Sequence, residues 1–272
     1  MNNMKLSIPV IPDIIPCGYF DGRTSNNLIT AVDLMRKFGY TEIDDSVFYS
    51  FLLENGFRRQ NMLFYLNECK GCNECTPIRV PVNDFKLSKS QKRVLDKNCD
   101  IEIKYSSSMN EFVTEEKGFI FREYDKYHNN SKTDYRVMTI QEACEQLHSM
   151  HSGYSQIVDM DYYYNGNLLG VGVIDIAINN LCKPIALSTN YFYYLPEKSV
   201  LKRSLGVFSV LKEIELCKKL EIPYYYLGLY LPNCRKMNYK VNYKSYELLQ
   251  NGKWIKNEEC FVKKTDNSNM PI

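Results

Sequence analysis

Apolar residues recur at two spacings along this chain, and each spacing predicts one kind of element. In residues 205–220 they stand at positions i, i+3, i+4 and i+7, which places them on one face of an amphipathic helix. In residues 101–106 apolar and polar side chains alternate, as they do in a strand with one buried face. The same reasoning, helped by capping and turn residues, predicts further helices over 46–55, 88–98, 109–128 and 139–150, and further strands over 57–66, 78–85, 156–164, 167–178, 184–196 and 224–231.

The C-terminal half shows how these elements combine. Asn165 and Gly166 separate two predicted strands and accept the positive φ angles of a tight hairpin turn. A third strand, the helix over 205–220 and a fourth strand follow, which predicts an α/β fold with the helix packed on a mixed sheet. We expect the domain boundary in the small polar residues near 106, between an N-terminal domain of residues 1–105 and a C-terminal domain of residues 106–272.

Composition limits the class of protein. With 272 residues, 44% hydrophobic and 24% charged, the chain has the average profile of a globular protein, which excludes a disordered chain, a collagen and a coiled coil. No apolar run approaches the roughly 18 residues of a membrane span, so no membrane partner is expected. The first twenty residues do not resemble a signal peptide, so we expect a cytoplasmic protein whose ten cysteines are reduced. No sequence feature indicates an oligomeric state.

Charge is unevenly distributed behind a net value of +2. Residues 58–104 carry ten basic against six acidic side chains, and residues 235–264 carry eight against three. The stretch between them, residues 105–160, carries five against nine. Two basic blocks suit a polyanionic partner such as a nucleic acid, although solvated surface is the simpler explanation of the charge alone.

Three cysteines are spaced as metal ligands often are. Cys69, Cys72 and Cys75 follow one another at intervals that let neighbouring thiolates converge on one ion, and Cys17 is the candidate for a fourth ligand. Lys70 and nearby basic residues favour ionised thiolates. We therefore expect either zinc or an iron–sulfur cluster, with ordinary loop cysteines as the alternative.

Two further features are candidates for binding or catalysis. Asp175 interrupts an almost wholly apolar strand, so its carboxylate either accepts structural hydrogen bonds or acts chemically. Ser204 and Gly206 stand where a helix begins, a position that either binds an anion through free backbone N–H groups or forms a plain turn.

A set of short motifs follows in a characteristic order along most of residues 17–254. They are Cys17-Gly18-Tyr19, Asn55-Gly56-Phe57-Arg58-Arg59, Cys69-x2-Cys72-x2-Cys75-x3-Arg79, Ser88-x-Ser90-Gln91-x-Arg93 with Asn98, Gly172-Val173-x-Asp175, the aromatic strand Tyr191–Pro196, Ser204-Leu205-Gly206, Leu211-x-Glu213-Ile214, Tyr224 to Leu229, Cys234-x-Lys236-Met237-x-Tyr239-Lys240 with Tyr243, Glu247-Leu248-Leu249 and Gly252-x-Trp254.

This ordered set resembles the aminoacyl-tRNA–protein transferases, which add an amino acid to protein N termini. The short chain is similar to the bacterial branch, which moves leucine from Leu-tRNA onto N-terminal Asp or Glu and so marks proteins for N-degron degradation. Two positions depart from the family pattern. Phe20 stands where the eukaryotic-like opening has Cys, and Leu195 replaces the Asp that usually precedes Pro196.

The resemblance implies a GNAT-like acyltransferase domain that accepts an aminoacyl-tRNA as co-substrate, preceded by a smaller cysteine-containing domain. The implied reaction is attack by an α-amine on the ester that joins the amino acid to tRNA, for which positioning, a mild base and oxyanion stabilisation suffice. Asp175 is expected to orient or deprotonate the amine. The residues expected to hold the acidic acceptor are Arg58, Arg59, Arg79 and Lys236.

The expected tRNA contacts combine charge with stacking. Basic side chains would meet phosphates, and Tyr239 would stack on the terminal adenine. With the helix-opening pair already named, these residues are Lys89, Lys92, Arg93, Ser204, Gly206, Tyr239, Lys240 and Lys244. Three alternatives stay open: transfer of arginine, an acetyl-CoA-dependent acetyltransferase, and a metal-containing RNA-binding module without catalysis.

Overall fold

The computed structural model describes residues 8–39, 44–131 and 134–257. Its strands are β1 (Ile11–Pro16), β2 (Thr24–Thr30), β3 (Arg58–Gln60), β4 (Leu63–Asn67), β5 (Thr76–Pro81), β6 (Glu102–Ser106), β7 (Ile157–Tyr164), β8 (Asn167–Ile178), β9 (Pro184–Tyr194), β10 (Tyr224–Tyr230), β11 (Glu247–Gln250) and β12 (Lys253–Lys256). Its helices are α1 (Val32–Lys37), α2 (Asp45–Glu54), α3 (Lys89–Lys97), α4 (Met109–Phe112), α5 (Glu115–Asn129), α6 (Ile140–Met150), α7 (Lys198–Leu201) and α8 (Leu205–Lys219), with a 3-10 helix over Asn238–Asn242.

The strands form two sheets of unequal size. Eight strands make the large sheet in the order β12-β11-β5-β10-β9-β8-β7-β6, and four make the small one in the order β1-β2-β4-β3. Neighbours in the large sheet are antiparallel except β9 and β10, which are parallel. The mixed α/β fold predicted from the sequence is therefore confirmed.

Helices cover both faces of the large sheet. On one face α8 packs against β9 and β10, and α3 packs against α8. Leu211 and Ile214 of α8 are buried there with Leu187 of β9, and each fully buried aliphatic side chain contributes about 1.5–3 kcal/mol. On the other face α2, α5 and α6 surround a second core that includes Val173 and Tyr193. The central strands are buried from both sides, which explains why β8 reads as an almost continuous apolar run.

The parallel pair β9 and β10 is joined over only part of its length. Their ladder runs from Ala186 opposite Tyr224 to Ser188 opposite Tyr226 and stops there. Beyond that point β9 continues to Tyr194 against β8, and β10 continues past a register shift towards Tyr230 against β5. The two strands therefore diverge, and the edges that face each other carry backbone N–H and C=O groups without a strand partner.

Two of the predicted elements are each divided into two elements in the structure. The helix predicted over 109–128 is two helices, because Thr114 accepts a hydrogen bond from the backbone N–H of Lys117 and begins α5 afresh. The strand predicted over 57–66 is the hairpin of β3 and β4, which turns at Asn61 with a φ of 52°. The helices over 88–98, 139–150 and 205–220 agree with the structure to within a residue or two.

Sheet pairing does not follow the expected boundary near residue 106. β5 and β6 precede it in the sequence, yet both are strands of the large sheet, and β5 lies between β10 and β11. The small sheet uses only residues 11–67. Within the described ranges, no helix is both long and apolar enough to cross a membrane.

Candidate active site

A cleft opens where β9 and β10 diverge. It has a volume of about 450 Å³ and is walled by the ends of both strands, by the start of α8 and by side chains from β3 and the 3-10 helix. Four larger depressions lie elsewhere among the described residues. This cleft is the one that combines buried cations with unpaired strand edges, so it is the chemically distinctive one among those described.

Arg58 reaches the cleft from β3. Its side chain is buried, and Nη2 donates a hydrogen bond of 2.6 Å to the carbonyl oxygen of Thr189, just past the last rung of the parallel ladder. Nη1 is buried without a hydrogen-bond partner in the described chain. A buried guanidinium with an unused donor is suited to receive a carboxylate, because Arg presents its donors in a planar fork.

Lys240 reaches the same place from the 3-10 helix. Residues three apart lie above one another in such a helix, so Met237 and Lys240 both line the cleft, whereas Tyr239 is 40% exposed at its edge. Burial, reinforced by the charge of Arg58, lowers the pKa of Lys240 to about 7. The expectation that Lys240 binds a tRNA phosphate on the surface is therefore not supported by its position.

Gly228 allows the two cations to approach each other. It lies beside the register shift of β10 with a φ of 89°, a conformation that glycine adopts without strain. A Cβ atom there would lie 3.0 Å from Lys240 Nζ and 3.6 Å from Arg58 Nη2. The glycine thus leaves the space in which both side chains end.

Asp175 has a different environment from the one expected. Arg59 donates to it twice, from Nε at 2.9 Å and Nη2 at 2.7 Å, and both side chains are fully buried. Asn190 donates a third hydrogen bond at 3.3 Å. Arg59 and Asn190 line the cleft but Asp175 does not, so Asp175 lies behind the wall of the cleft and contacts it only through these two residues.

Glu213 contributes a buried carboxyl group beneath the cleft. Ser209 and Tyr225 each donate a hydrogen bond of 2.7 Å to it, one to each oxygen. Burial raises the pKa of Glu213. A Cβ atom on Gly172 would come 3.5 Å from Glu213 Oε1, so this glycine of β8 leaves room for the carboxyl.

Two of the four expected acceptor-binding residues lie elsewhere. Arg79 is held by Glu54 and Glu247, at 2.6 and 2.7 Å, and stacks between the rings of Tyr224 and Trp254. These contacts make Arg79 part of the framework that joins β5 to β10 and β11. Lys236 is exposed and is not among the residues that line the cleft.

The expected tRNA contacts fall mostly on one exposed surface next to the cleft. Lys89, Lys92 and Arg93 are exposed on α3, and Lys244 is exposed after the 3-10 helix. A second depression, lined by the start of α3 and by Lys244, meets the cleft at Tyr239, which lines both. Gly206 lines the cleft, and Ser204 takes a left-handed conformation with a φ of 57° where α8 begins.

The expected metal site does not fit the thiol arrangement. Among the described residues, no group of three or more His, Cys, Asp or Glu side chains is arranged to hold a metal ion. Cys69 Sγ instead accepts a hydrogen bond from the Asn26 backbone at 3.4 Å, and Arg23 donates to Cys72 Sγ at 3.9 Å. Burial and the neighbouring thiols of Cys69, Cys17 and Cys72 raise the pKa of Cys75 to about 12.

Sequence reasoning assigned no role to several cleft residues. Thr189 and Asn190 lie in a strand that reads as apolar and aromatic, and Glu213 appeared only within a motif. Gly228 carried a usable signal, because a glycine inside an apolar strand often marks a bulge or a close approach.

The amino-acid sequence of this chain matches two family profiles and several named bacterial proteins. The profile described as "Arginine-tRNA-protein transferase, C terminus" matches residues 116–250, and the one described as "Arginine-tRNA-protein transferase, N terminus" matches residues 15–93. An "Aspartate/glutamate leucyltransferase" of Pseudoalteromonas atlantica is 33% identical over 90% of this chain and 95% of its own. A protein of the same name from Marinobacter nauticus is 32% identical over 77% of this chain and 82% of its own.

Two solved structures are similar at a lower level. L-PGS from Bacillus licheniformis covers 81% of this chain and 71% of its own at 10% identity, with a TM-score of 0.39. A structure described as a possible acetyltransferase from Clostridium difficile 630 covers 45% of this chain and 74% of its own at 15% identity, with a TM-score of 0.30. Both TM-scores are below 0.5.

Proposed function

This chain belongs to the aminoacyl-tRNA–protein transferase family, and from that premise we propose that it transfers leucine from Leu-tRNA to the N-terminal α-amine of proteins that begin with Asp or Glu. The leucyl donor and the acidic acceptors are inferred from the name that its bacterial relatives carry. The enzyme class follows from the same matches: it is an aminoacyltransferase that uses an aminoacyl-tRNA as co-substrate.

The observation that carries the proposal is the free, buried donor of Arg58. An N-terminal Asp or Glu brings a carboxylate that must be desolvated on entering the cleft, which is costly unless a cation receives it. The Arg58 guanidinium is such a cation, and its Nη1 has no hydrogen-bond partner in the described chain. Arg59 supports the site differently, because its charge is already compensated by Asp175.

The diverging strands suit the transfer step itself. The α-amine attacks the ester carbonyl, the C–N bond forms, and the carbonyl oxygen becomes an oxyanion before the C–O bond to the ribose breaks. Backbone N–H groups on the unpaired edges of β9 and β10 are preorganised donors for that charge. Ester aminolysis is downhill, so positioning and one proton acceptor complete the requirements.

The neighbouring basic surface suits the tRNA. We place the acceptor stem along α3, near Lys89, Lys92 and Arg93, and the terminal adenine against Tyr239, which lies between that surface and the cleft. The thiols carry no step of this mechanism, because their arrangement does not fit a metal. We propose a cytoplasmic role in N-degron marking, the setting in which leucine on an acidic N terminus acts as a signal.

A transfer assay tests the function. Peptides that differ only in the first residue, Asp, Glu, Asn, Gln or Ala, are offered with Leu-tRNA or Arg-tRNA charged with a labelled amino acid. We expect leucine on the Asp and Glu peptides alone. Arginine on the same peptides would keep the reaction and change the donor. No transfer from either donor would overturn the proposal, and transfer to the Asn and Gln peptides would overturn the role of the carboxylate.

A further inference from the structure

Lys240 is a buried residue whose amine is not needed for the acceptor recognition proposed above. Only 7% of it is exposed, and its Nζ ends beside Gly228 in the cleft, next to the Arg58 guanidinium. Across the described ranges, neither a hydrogen bond nor an ion pair is found at Nζ. Two cations side by side without a carboxylate repel each other, and the lysine is the one that can relieve this by losing a proton.

The other ionisable groups around the cleft do not restore that proton. Arg59 is neutralised by Asp175, and the Glu213 carboxyl is occupied by Ser209 and Tyr225. Cys234 stands near Lys240 with a small favourable charge effect, which is weaker than burial and the effect of Arg58. The remaining ionisable groups that line the cleft are phenols, whose pKa values burial raises, so they stay neutral near pH 7; they belong to Tyr19, Tyr65, Tyr124, Tyr191, Tyr194 and Tyr239.

Resting on the function proposed above, we propose that Lys240 Nζ is the base that accepts the proton from the acceptor's α-ammonium group. Arg58 receives the side-chain carboxylate, which in Asp is joined to the α-carbon through a single methylene. The α-amine is therefore held close to Arg58, and Lys240 Nζ approaches the same point from the 3-10 helix. The only other unpaired side-chain nitrogen at this position in the described chain is Arg58 Nη1, which belongs to a guanidinium that stays protonated and so cannot act as the base.

The proton balance of the step is complete without a cofactor. Neutral Lys240 takes one proton from the α-ammonium group, which leaves a neutral amine. The amine nitrogen bonds to the ester carbon, and as the C–O bond breaks, the second proton of that nitrogen passes to the ribose oxygen, which leaves as a hydroxyl. The products are an amide and deacylated tRNA, and protonated Lys240 returns its proton to solvent.

The arrangement also links specificity to catalysis. A free α-amine has a pKa of about 7.7–8.0, so transfer to a lysine that titrates near 7 is close to balanced. The carboxylate of Asp or Glu offsets the charge of Arg58 and makes Lys240 a stronger base, whereas Asn or Gln does not. An acidic first residue thus activates the base that its own amine requires.

Substitutions at Lys240 distinguish a side chain that accepts a proton from one that only contributes a positive charge. Leu-tRNA and the Asp peptide are used at saturation in single-turnover assays at pH 7, with Lys240→Arg, Lys240→Gln and the exposed control Lys253→Ala. For a base, the Arg and Gln variants both lose about 10²- to 10⁴-fold in rate. Retention of the rate by Lys240→Arg alone would show that the charge suffices and would overturn the proposal.

Chemical rescue tests the same role without depending on how well an arginine side chain fits at position 240. Lys240→Ala is assayed with added methylamine, and separately with guanidinium chloride at the same concentration. We expect saturable rescue by methylamine that grows as pH rises, and none by guanidinium. Rescue by neither, in a variant that keeps its Tm and binds Leu-tRNA, would overturn the proposal. Failure of the wild-type protein to transfer leucine would instead overturn the function on which the proposal rests.

Discussion

Arg59 and Asp175 form a two-point ion pair between the small and large sheets, with nitrogen–oxygen distances of 2.9 and 2.7 Å and no exposure of either side chain. Arg59 belongs to β3 of the small sheet, and Asp175 belongs to β8 of the large one. Because Arg58 directly precedes Arg59 on β3, the ion pair between Arg59 and Asp175 also determines the position of the Arg58 guanidinium relative to the end of the parallel ladder.

Asp175→Asn is therefore expected to reduce stability and activity together. Removing one charge leaves Arg59 buried and uncompensated, which typically costs about 3–5 kcal/mol. Thermal unfolding should show a lower Tm, and the double variant Arg59→Met/Asp175→Leu should lose less stability than the two single changes predict together. An unchanged Tm with complete loss of transfer would instead make Asp175 a chemical participant.

Arg58→Gln tests acceptor recognition. Losing the free guanidinium donor should raise the KM of Asp and Glu peptides about 10- to 100-fold, the range for a hydrogen bond to a charged group. The preference for Asp over Asn peptides should fall by a similar factor. Arg36→Gln, at an exposed arginine of α1, serves as the control and should change neither quantity. A preserved preference in Arg58→Gln would place recognition elsewhere.

Arg79→Lys should give the opposite pattern. The lysine keeps the charge but cannot reproduce the contacts to Glu54 and Glu247 or the stacking between Tyr224 and Trp254. We expect a loss of about 1–3 kcal/mol in the free energy of unfolding. The ratio of kcat/KM between Asp and Ala peptides should stay constant in the transfer assay; a change in that ratio would return Arg79 to the acceptor site.

Gly228→Ala tests the approach of the two cations. Both Gly228 and Gly252 have positive φ angles, so alanine strains the backbone at either position by about 1–3 kcal/mol. Only at Gly228 would the new Cβ press on Lys240 Nζ, because the space around Gly252 is open. Both variants should show similar losses of Tm, whereas only Gly228→Ala should lose most of its transfer rate. Equal activity in the two variants would contradict the arrangement.

Lys240→Met tests the titration without using activity. Folding lowers the pKa of Lys240 from its usual value of about 10.4 to about 7, so the wild-type protein is destabilised by this group below pH 7. That penalty shrinks as pH rises from 7 towards 10, where the unfolded chain also loses the proton. The Tm of Lys240→Met should therefore exceed that of wild type most at low pH, and the gap should narrow with rising pH. A gap that does not vary with pH would mean that Lys240 titrates normally.

Local patterns were enough for many of the elements. The predicted starts of α3 and α6 coincide with the capping residues Ser88 and Thr139, whose side chains accept backbone hydrogen bonds within one turn. Strands β1 and β2 were not predicted. β1 is an edge strand with exposed apolar residues such as Ile14, so its sequence carries no alternation between a buried and an exposed face.

The contacts of the site residues depend on pairing between distant parts of the chain, which local sequence patterns do not predict. Asp175 was singled out correctly as an anomaly, but its partner Arg59 is 116 residues away and could not be inferred from spacing. Tyr239 and Lys240 are adjacent in sequence and both line the cleft, yet Tyr239 is 40% exposed at its edge and Lys240 is buried. The expected metal site failed for a similar reason, since cysteine spacing says nothing of the backbone groups that contact the thiols.

The position of β5 has a consequence for how the protein matures. Its partners β10 and β11 are made by the ribosome after about 150 further residues, so β5 waits with both edges open while the middle of the chain emerges. Pairing over such separations is slow because the intervening loop must be closed first. The cleft depends on β10, so a nascent chain lacks the proposed acceptor site and the proposed base until β10 and the residues after it have been made. A chain that stops before β10 is therefore expected to have no transfer activity.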